Sequence, residues 1–343
     1  MTANTRPTSQ GPGRGPSMRD VATLAGVSTQ TVSRTLSGHP YVRPDLRQRV
    51  MDAVAELGYT RNLAARALSS GQSGTLGVIT LASRGYARIE FAYGVEQAAA
   101  AAGYSVITAT ANAPTESDLA RAVTFLLEHG VDGLVVSTPL TERSDTLDAL
   151  LERVPAVILE EPGTAEDGVL TVDQREVAQL ATTHLLDLGH QTVWHLAGSL
   201  DWSDGWLRVS GWQETLEAAD REVPPLLRGD WTAASGYEQG LLLSRMPDAT
   251  AVFVANDEMA FGLLRALAER GRSVPEEVSV VSCDDIPLAA YATPPLTTVA
   301  QPFDATGRYA VEVLTARMGG HAAPEAAAPQ PRLIIRGTTQ ATT

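Results

Sequence analysis

The chain has 343 residues, a net charge of −14 and one cysteine. That length supports two or three domains with substantial cores. The lone Cys283 excludes an internal disulfide framework and fits a reducing cytoplasm, and no apolar run approaches the length of a membrane span.

The charge is unevenly divided. Residues 1–72 carry nine Arg against four acidic residues, a net of +5, whereas the rest holds 17 Arg against 36 acidic residues, a net of −19. A basic head of this kind can approach phosphates while an acidic body stays in solvent. Residues 1–17, rich in Pro, Gly, Ser and Thr, read as a disordered tail and not as a signal peptide. Residues 19–37, RDVATLAGVSTQTVSRTLS, then read as two short helices broken at Gly26-Val27. Ser28 is placed to cap a second helix from about Thr29 to Leu36, with Val32 and Leu36 as its buried stripe. Gln30 and Arg34 then fall roughly opposite that stripe. Gln can pair bidentately with adenine and Arg with guanine, so the pattern is that of a helix-turn-helix with its second helix in a major groove. Thr29, Gln30 and Arg34 are expected to read bases, while Ser28, Thr31 and Ser33 position the backbone. On pattern alone, a small helical hairpin with a polar surface is the alternative. A third helix is expected from about Asp45 to Leu57.

RNLAARALSSGQSG (61–74) begins with eight good helix formers and ends in a flexible Ser/Gly linker. Eight residues are too few for a stable isolated helix, so this segment is expected to fold only when a partner holds it.

From residue 75 onward, short apolar runs alternate with helical segments. TLGVIT, YSVITAT, DGLVVST, PAVILE and GVLTV are followed, after a break near 170–175, by TVWHLAG, AVFVAN and VSVVSCDD. That rhythm predicts parallel sheets covered on both faces and two similar lobes. In open α/β sheets, ligands bind beyond the carboxyl ends of the strands. Glu160, Asn256, Asp284 and Asp285 stand there, and Arg208 lies on the helix after TVWHLAG. These side chains suit paired hydroxyls, since each makes two directed contacts. Asp257 reads as the N-cap of the EMAFGLLRAL helix, and Asp285 equally as a residue that holds a loop. All five tryptophans fall between 194 and 231. Trp194 and Trp212 read as core, whereas Trp202, Trp206 and Trp231 border the predicted cleft, where flat aromatic faces can cover the C–H side of a pyranose. Phe91 and Phe303 read as further walls or as plain core.

The ordered series STQTVSR, GYTRN, HLLDLGHQ (184–191), LRVSGW (207–212), VANDEMAFG (254–262), VSCDD (281–285) and PPLTTVAQ (294–301) closely resembles the lac repressor family of bacterial transcription regulators. The resemblance implies an N-terminal all-α helix-turn-helix head and an α/β core of two doubly wound, periplasmic-binding-protein-like lobes. It divides the chain into the 1–17 tail, an 18–60 DNA-binding domain, a 61–74 hinge and linker, and a 75–338 core. Lobe 1 is expected at about 75–172 and 299–318, and lobe 2 at about 173–298 with a C-terminal strand at 331–338. Asn62 and Leu68 become hinge contacts to DNA, Leu68 as a minor-groove wedge. Arg61 departs from the proline that the family commonly places before this asparagine. The resemblance also puts Arg208, Asn256 and Asp284 on sugar hydroxyls, Glu160 where sugar-responsive members carry an acidic contact, and Trp231 on a pocket tryptophan of a sugar-binding member.

A homodimer on a near-palindromic operator is expected, its face formed by the alanine-rich helix near 94–102 and other parts of the first lobe. No leucine heptad follows RGTTQATT, so a tetramerising coil is not expected. The expected function is repression relieved by a small sugar, a galactoside or other β-glycoside. The alternatives are a purine or sugar-phosphate sensor or, for the core alone, a solute-binding protein. Neither an enzyme, a cofactor nor a metal site is expected: HExxH, CxxC, P-loop and G-x-S-x-G patterns are absent.

Overall fold

The computed structural model describes residues 15–60, 71–82, 85–113, 115–137, 144–160, 169–170, 172–322, 324 and 330–342. Asn62, Leu68 and the departure at Arg61 lie outside the described residues, as does the side chain of Glu160. The chain divides into two compact units, Met1–Ser73 and Gly74–Thr343.

The first unit is helical. Helix α1 (Met18–Ala25) opens on a capping box in which Ser17 and Asp20 satisfy each other's backbone N–H groups. It closes at Gly26, whose φ of +61° is the left-handed geometry that lets the chain turn sharply. Helix α2 (Thr29–Leu36) is capped by Ser28, whose hydroxyl accepts from the Thr31 N–H at 3.1 Å. Helix α3 (Pro44–Leu57) starts one residue before the expected Asp45, because Pro44 has a preset φ and no N–H to lose in the first turn. Val21, Ala22, Ala25, Val32, Val50 and Ala53 form the core, with Leu36 packed at its edge.

The second unit holds two parallel sheets. In the first lobe the strands β1 (Thr75–Leu81), β2 (Ser105–Ala111), β3 (Gly133–Ser137), β4 (Ala156–Glu160) and β5 (Val169–Leu170) are ordered β2-β1-β3-β4-β5. Helices α4 (Tyr86–Ala101), α5 (Glu116–Glu128) and α6 (Asp145–Leu151) connect them. The second lobe begins with α7 (Gln174–Asp187), β6 (Trp194–Ala197), α8 (Ser203–Ala218), β7 (Leu227–Arg228) and α9 (Ala233–Leu243). It continues with β8 (Ala251–Val254), α10 (Asp257–Glu269), β9 (Ser279–Asp284), a 3₁₀ turn at Pro287–Tyr291 and β10 (Thr297–Ala300). Helix α11 (Phe303–Met318) then returns to pack on α4 and the first sheet, and β11 (Arg332–Ile334) closes the second sheet antiparallel to β10. The second sheet is ordered β11-β10-β9-β8-β6-β7. Each sheet carries an apolar cluster on both faces, which is why its strands read as near-continuous Val/Ile/Leu runs.

The lobes are therefore joined where the chain passes from β5 to α7, from β10 to α11 and from α11 to β11. Val299 and Ala300 pair with Cys283 and Asp284 of β9, so the second crossing starts after residue 300 and not at the expected 299. The alanine-rich helix α4 turns one face into the lobe and leaves another, with Glu96, Gln97, Ala100 and Ala101, exposed. Gly94, Val95 and Ala99 are buried, and a Cβ on Gly94 would stand 2.0 Å from the Asp304 carbonyl oxygen of α11. That small-residue stripe is taken up inside the lobe; the exposed side of the helix carries Ile89, Tyr93, Ala100 and Ala101.

His195 of β6 lies between Phe253 and Trp212 in the second-lobe core. Its Nδ1 sits 2.9 Å from the Phe253 carbonyl oxygen, which fixes the Nδ1–H tautomer because a carbonyl only accepts. Burial lowers its pKa from 6.5 to about 3. The unfolded chain therefore takes up a proton that the fold refuses, and stability is lost as pH falls from 6.5 toward 3. Across that window the loss is about 1.4 kcal/mol per pH unit for one such group. Urea unfolding at pH 7 and pH 5 should show a smaller loss for His195→Asn than for the parent; an identical loss would mean that His195 is not the group responsible.

Candidate functional site

On the helical head, Ser28, Thr29, Gln30 and Arg34 are exposed on α2, and Thr31 and Ser33 are half-buried. The Ser28 and Thr31 hydroxyls lie 2.9 Å apart within the cap, which leaves them better placed to set the helix than to read bases. Several head guanidiniums are structural. Arg43 pairs with Asp45 at 2.7 Å, Arg47 donates to the His39 carbonyl at 3.0 Å, and Arg49 donates to the Ala25 carbonyl at the end of α1. The basic surplus seen in the sequence is thus partly spent on the head's own loops, while Arg34 projects from the helix on the same side as Gln30.

In the second unit, the carboxyl ends of the second-lobe strands gather the other candidates. Arg208 of α8 is only 3% exposed. Its Nε donates to Gln174 Oε1 at 2.9 Å, its Nη1 donates to the Ala255 carbonyl, and its guanidinium lies 5.4 Å from the centre of the Trp231 ring. The Trp231 ring rests where a Cβ on Gly198 would come within 2.3 Å, so only glycine at 198 admits it. Trp231 has a φ of +75°, an arrangement that costs free energy in a bulky residue and persists only where its surroundings demand it. Trp202 faces it with ring centres 6.0 Å apart, and the Trp231 Nε1 is buried without a partner among the described residues. Asp284, at the end of β9, has a φ of +111° and accepts from Gln301 Nε2 at 2.8 Å. Burial pushes its pKa up to about 8; Arg208 pulls it down, and the nearby Asp257 and Glu258 carboxylates push it up again.

Asn256 belongs to this group through its backbone neighbours. Its side chain caps α10, accepting from the Met259 N–H at 3.0 Å, and donates to the Trp231 carbonyl at 3.1 Å and to Glu258 at 2.8 Å. The cap is therefore Asn256 and not Asp257, the expected one. Asn serves as well as Asp at that position, and the Asp257 carboxylate is occupied elsewhere. It accepts from Ser282 Oγ, from Thr298 Oγ1 at 2.8 Å and from the Ile286 N–H at 2.8 Å, and burial raises its pKa to about 6. Asp285 holds its loop, as one reading had it, but through an ion pair with Arg336 at 2.6 Å.

The remaining aromatic candidates are dispersed. Trp212 is core, its Nε1 donating to the Val193 carbonyl at 2.8 Å, and Trp194 packs against the second-lobe cluster. Trp206 is 41% exposed, with the Arg175 guanidinium 5.6 Å from its ring. Phe91 is 5% exposed within the first-lobe cluster, and Phe303 packs on the same cluster while staying half-buried. Glu160 ends β4. Sequence reasoning missed three residues. Gln174 and Gln301, both buried, contact Arg208 and Asp284 respectively. Tyr86 of the first lobe packs on the second-lobe cluster, and its N–H approaches Glu258 at 3.4 Å. Only Gln301, just past a strand like Asp284, carried a signal that could have found it.

Among the described residues, no group of His, Cys, Asp and Glu side chains could hold a metal ion, and no helix is long and apolar enough to cross a membrane.

Comparison with known proteins agrees with this arrangement. The family profile for bacterial regulatory proteins of the lacI family matches residues 17–62, and that of a periplasmic binding protein-like domain matches residues 182–339. The lactose operon repressor of Escherichia coli (strain K12) is 33% identical over 326 residues, which is 94% of this chain and 90% of that protein. The HTH-type transcriptional regulator CelR of Thermobifida fusca is 36% identical over 322 residues, covering 90% and 93% of the two chains. Among solved structures, the lac repressor dimer bound to operator and the anti-inducer ONPF superposes with a TM-score of 0.87 at 32% identity, covering 96% of this chain and 100% of that one. A complex of CelR with cellobiose gives a TM-score of 0.67 at 31% identity, covering 94% and 99%. The chain belongs to the lacI family of bacterial regulatory proteins.

Proposed function

We propose that the chain is a cytoplasmic, homodimeric repressor that reads a near-palindromic operator and is released by a small sugar, a galactoside or other β-glycoside, bound between the lobes of its core. The observation that carries the sugar reading is the convergence of a buried carboxyl at Asp284, a buried guanidinium at Arg208 and the flat Trp231 ring. An acceptor, a donor and an apolar face are what a pyranose requires. A sugar phosphate fits less well. The Arg208 Nε and Nη1 already serve Gln174 and the Ala255 carbonyl, and the Asp257 and Glu258 carboxylates stand near the site. The lac repressor dimer among the structural relatives supports the dimeric reading, and α4 exposes the large apolar side chains of Ile89 and Tyr93.

Thermal shift of the whole protein against galactosides, β-glucosides, free sugars, purines and sugar phosphates tests the effector class, because a ligand that binds only the folded state raises the melting temperature. A shift with a β-glycoside that is lost in Trp231→Ala is the expected result. A shift with purines or phosphates alone overturns the sugar reading. The sugar can act only through its unequal affinity for two lobe arrangements. Asp284→Ala should therefore retain operator binding and lose release.

Operator recognition is assigned to α2. Gln30→Ala and Arg34→Ala should each lose about 1–3 kcal/mol of binding at particular base pairs. Measured on a set of operator variants, an equal loss on every sequence would show that these side chains contact phosphate instead.

A further inference from the structure

Arg208 and Asp284 are joined through two glutamines whose hydrogen bonds all run in one direction. Arg208 Nε donates to Gln174 Oε1 at 2.9 Å, Gln174 Nε2 donates to Gln301 Oε1 at 2.9 Å, and Gln301 Nε2 donates to Asp284 Oδ1 at 2.8 Å. All four side chains are buried. The polarity is fixed at the Arg208 end, because a guanidinium cannot accept, and at Gln174, whose Nε2 also meets the Val172 carbonyl, which cannot donate. Neither amide can flip without setting oxygen against oxygen or N–H against N–H.

The two glutamines also sit at the crossings. Gln174 opens α7, directly after the chain leaves the first lobe, and its Nε2 also donates to the Val172 carbonyl at 3.2 Å. Gln301 stands between β10 and α11, where the chain goes back. Their mutual bond thus ties two of the crossings together and is at the same time the middle link between the cation and the carboxyl of the cleft. A ligand that takes over a hydrogen bond of Arg208 or Asp284 alters the chain at its end. Its middle stands where the polypeptide crosses between the lobes.

We propose that the Gln174–Gln301 bond is the joint through which the state of the cleft sets the angle between the lobes. Both residues act through others and are positioning residues. The proposal rests on Arg208 and Asp284 being the ligand-reading pair, but its test uses no ligand, so it can fail while the effector reading stands.

Two variants separate the functions of Gln174. Gln174→Leu removes both links. Gln174→Glu keeps the size of the side chain and an acceptor for Arg208 but has no donor for Gln301. If Gln301 turns its amide to meet the new carboxylate, it gives up its donor bond to Asp284. Two readouts on the full chain follow, each taken where circular dichroism and the thermal midpoint show the variant folded. The first is hydrogen exchange at Arg208 Nε–H by ¹⁵N-arginine NMR, the signal being assigned by its loss in Arg208→Lys. The second is the interlobe distance distribution between spin labels on Glu128→Cys and Glu217→Cys, at exposed positions on α5 and α8; the native Cys283 is buried. Exchange should rise at least tenfold in Gln174→Leu and stay near the parent rate in Gln174→Glu, whereas the distance distribution should broaden or shift in both. A parental distribution in the folded Gln174→Glu protein would overturn the proposal and leave Gln174 as a support for Arg208 alone.

Discussion

Asp284→Asn is expected to make the protein more stable, by about 2–4 kcal/mol at pH 8, although it removes a charged residue from a hydrogen-bonded site. The sign follows from burial. Asp284 is 6% exposed, and its pKa rises from 3.8 to about 8, so the fold favours the neutral carboxyl while the unfolded chain ionises at the ordinary value. The contribution of a neutral group here is fully present below pH 4 and is lost progressively as pH rises through about 8. Asn imitates the neutral form, keeps an acceptor for Gln301 and tolerates the positive φ of 111°. The gain should therefore be small near pH 4, grow through neutrality and level off above pH 8. Urea titrations of the parent and Asp284→Asn proteins at pH 4.5 and pH 8 decide it. A variant that is less stable at pH 8 would mean that the ionised carboxylate holds the fold together, and the case for a ligand role would fall. A gain in stability joined to loss of effector response would show the usual exchange in which a binding residue is kept against stability.

The parts of this molecule that were legible in the sequence are those governed by short-range chemistry. Ser28 as a cap, Gly26 as the turn and the Val32 core contact of α2 follow from rules that act within one turn of helix. The strands were legible because burial on both faces leaves nearly unbroken apolar runs. What failed depends on choices between equivalent partners. Asn256 and Asp257 are both good caps, and only the cluster of Ser282, Thr298 and Ile286 donors around residue 257 decides that the carboxylate serves there. The buried Gln174 left no mark, because an amide at a crossing looks like any polar residue until its partners are known. The aromatic walls show the same limit. Phe91 and Phe303 are apolar whether they face a ligand or the core, and α11 brings the core to both.

The alanine-rich helix gives the second large expectation. Small residues along one face can serve association between chains or close packing within one, and the sequence supports either. Gly94 separates them. A Cβ there would lie 2.0 Å from the Asp304 carbonyl oxygen, 2.8 Å from its carbonyl carbon and 2.9 Å from its Cα. All three are backbone atoms of α11, which no side-chain rotation can move aside. Across the same contact, a Cβ on Gly307 would stand 2.4 Å from the Phe91 carbonyl oxygen, so the two helices meet backbone to backbone. Gly94→Leu must push α4 from α11 and open the cluster of Val95, Ala99, Ala310 and Val311 beneath them. A loss of about 3–5 kcal/mol is expected, at the upper end for a single overpacked site. Tyr93→Ala, one residue away on the exposed side of the helix, should barely change the stability of the folded chain and should weaken dimerisation instead. Unfolding midpoints and sedimentation of the two variants form a crossed test. If Gly94→Leu leaves the unfolding midpoint in place and yields monomers, the glycine face lies between chains and the packing of α4 on α11 is wrong. If it unfolds the core while Tyr93→Ala yields folded monomers, the small-residue stripe builds the lobe and the neighbouring face builds the dimer.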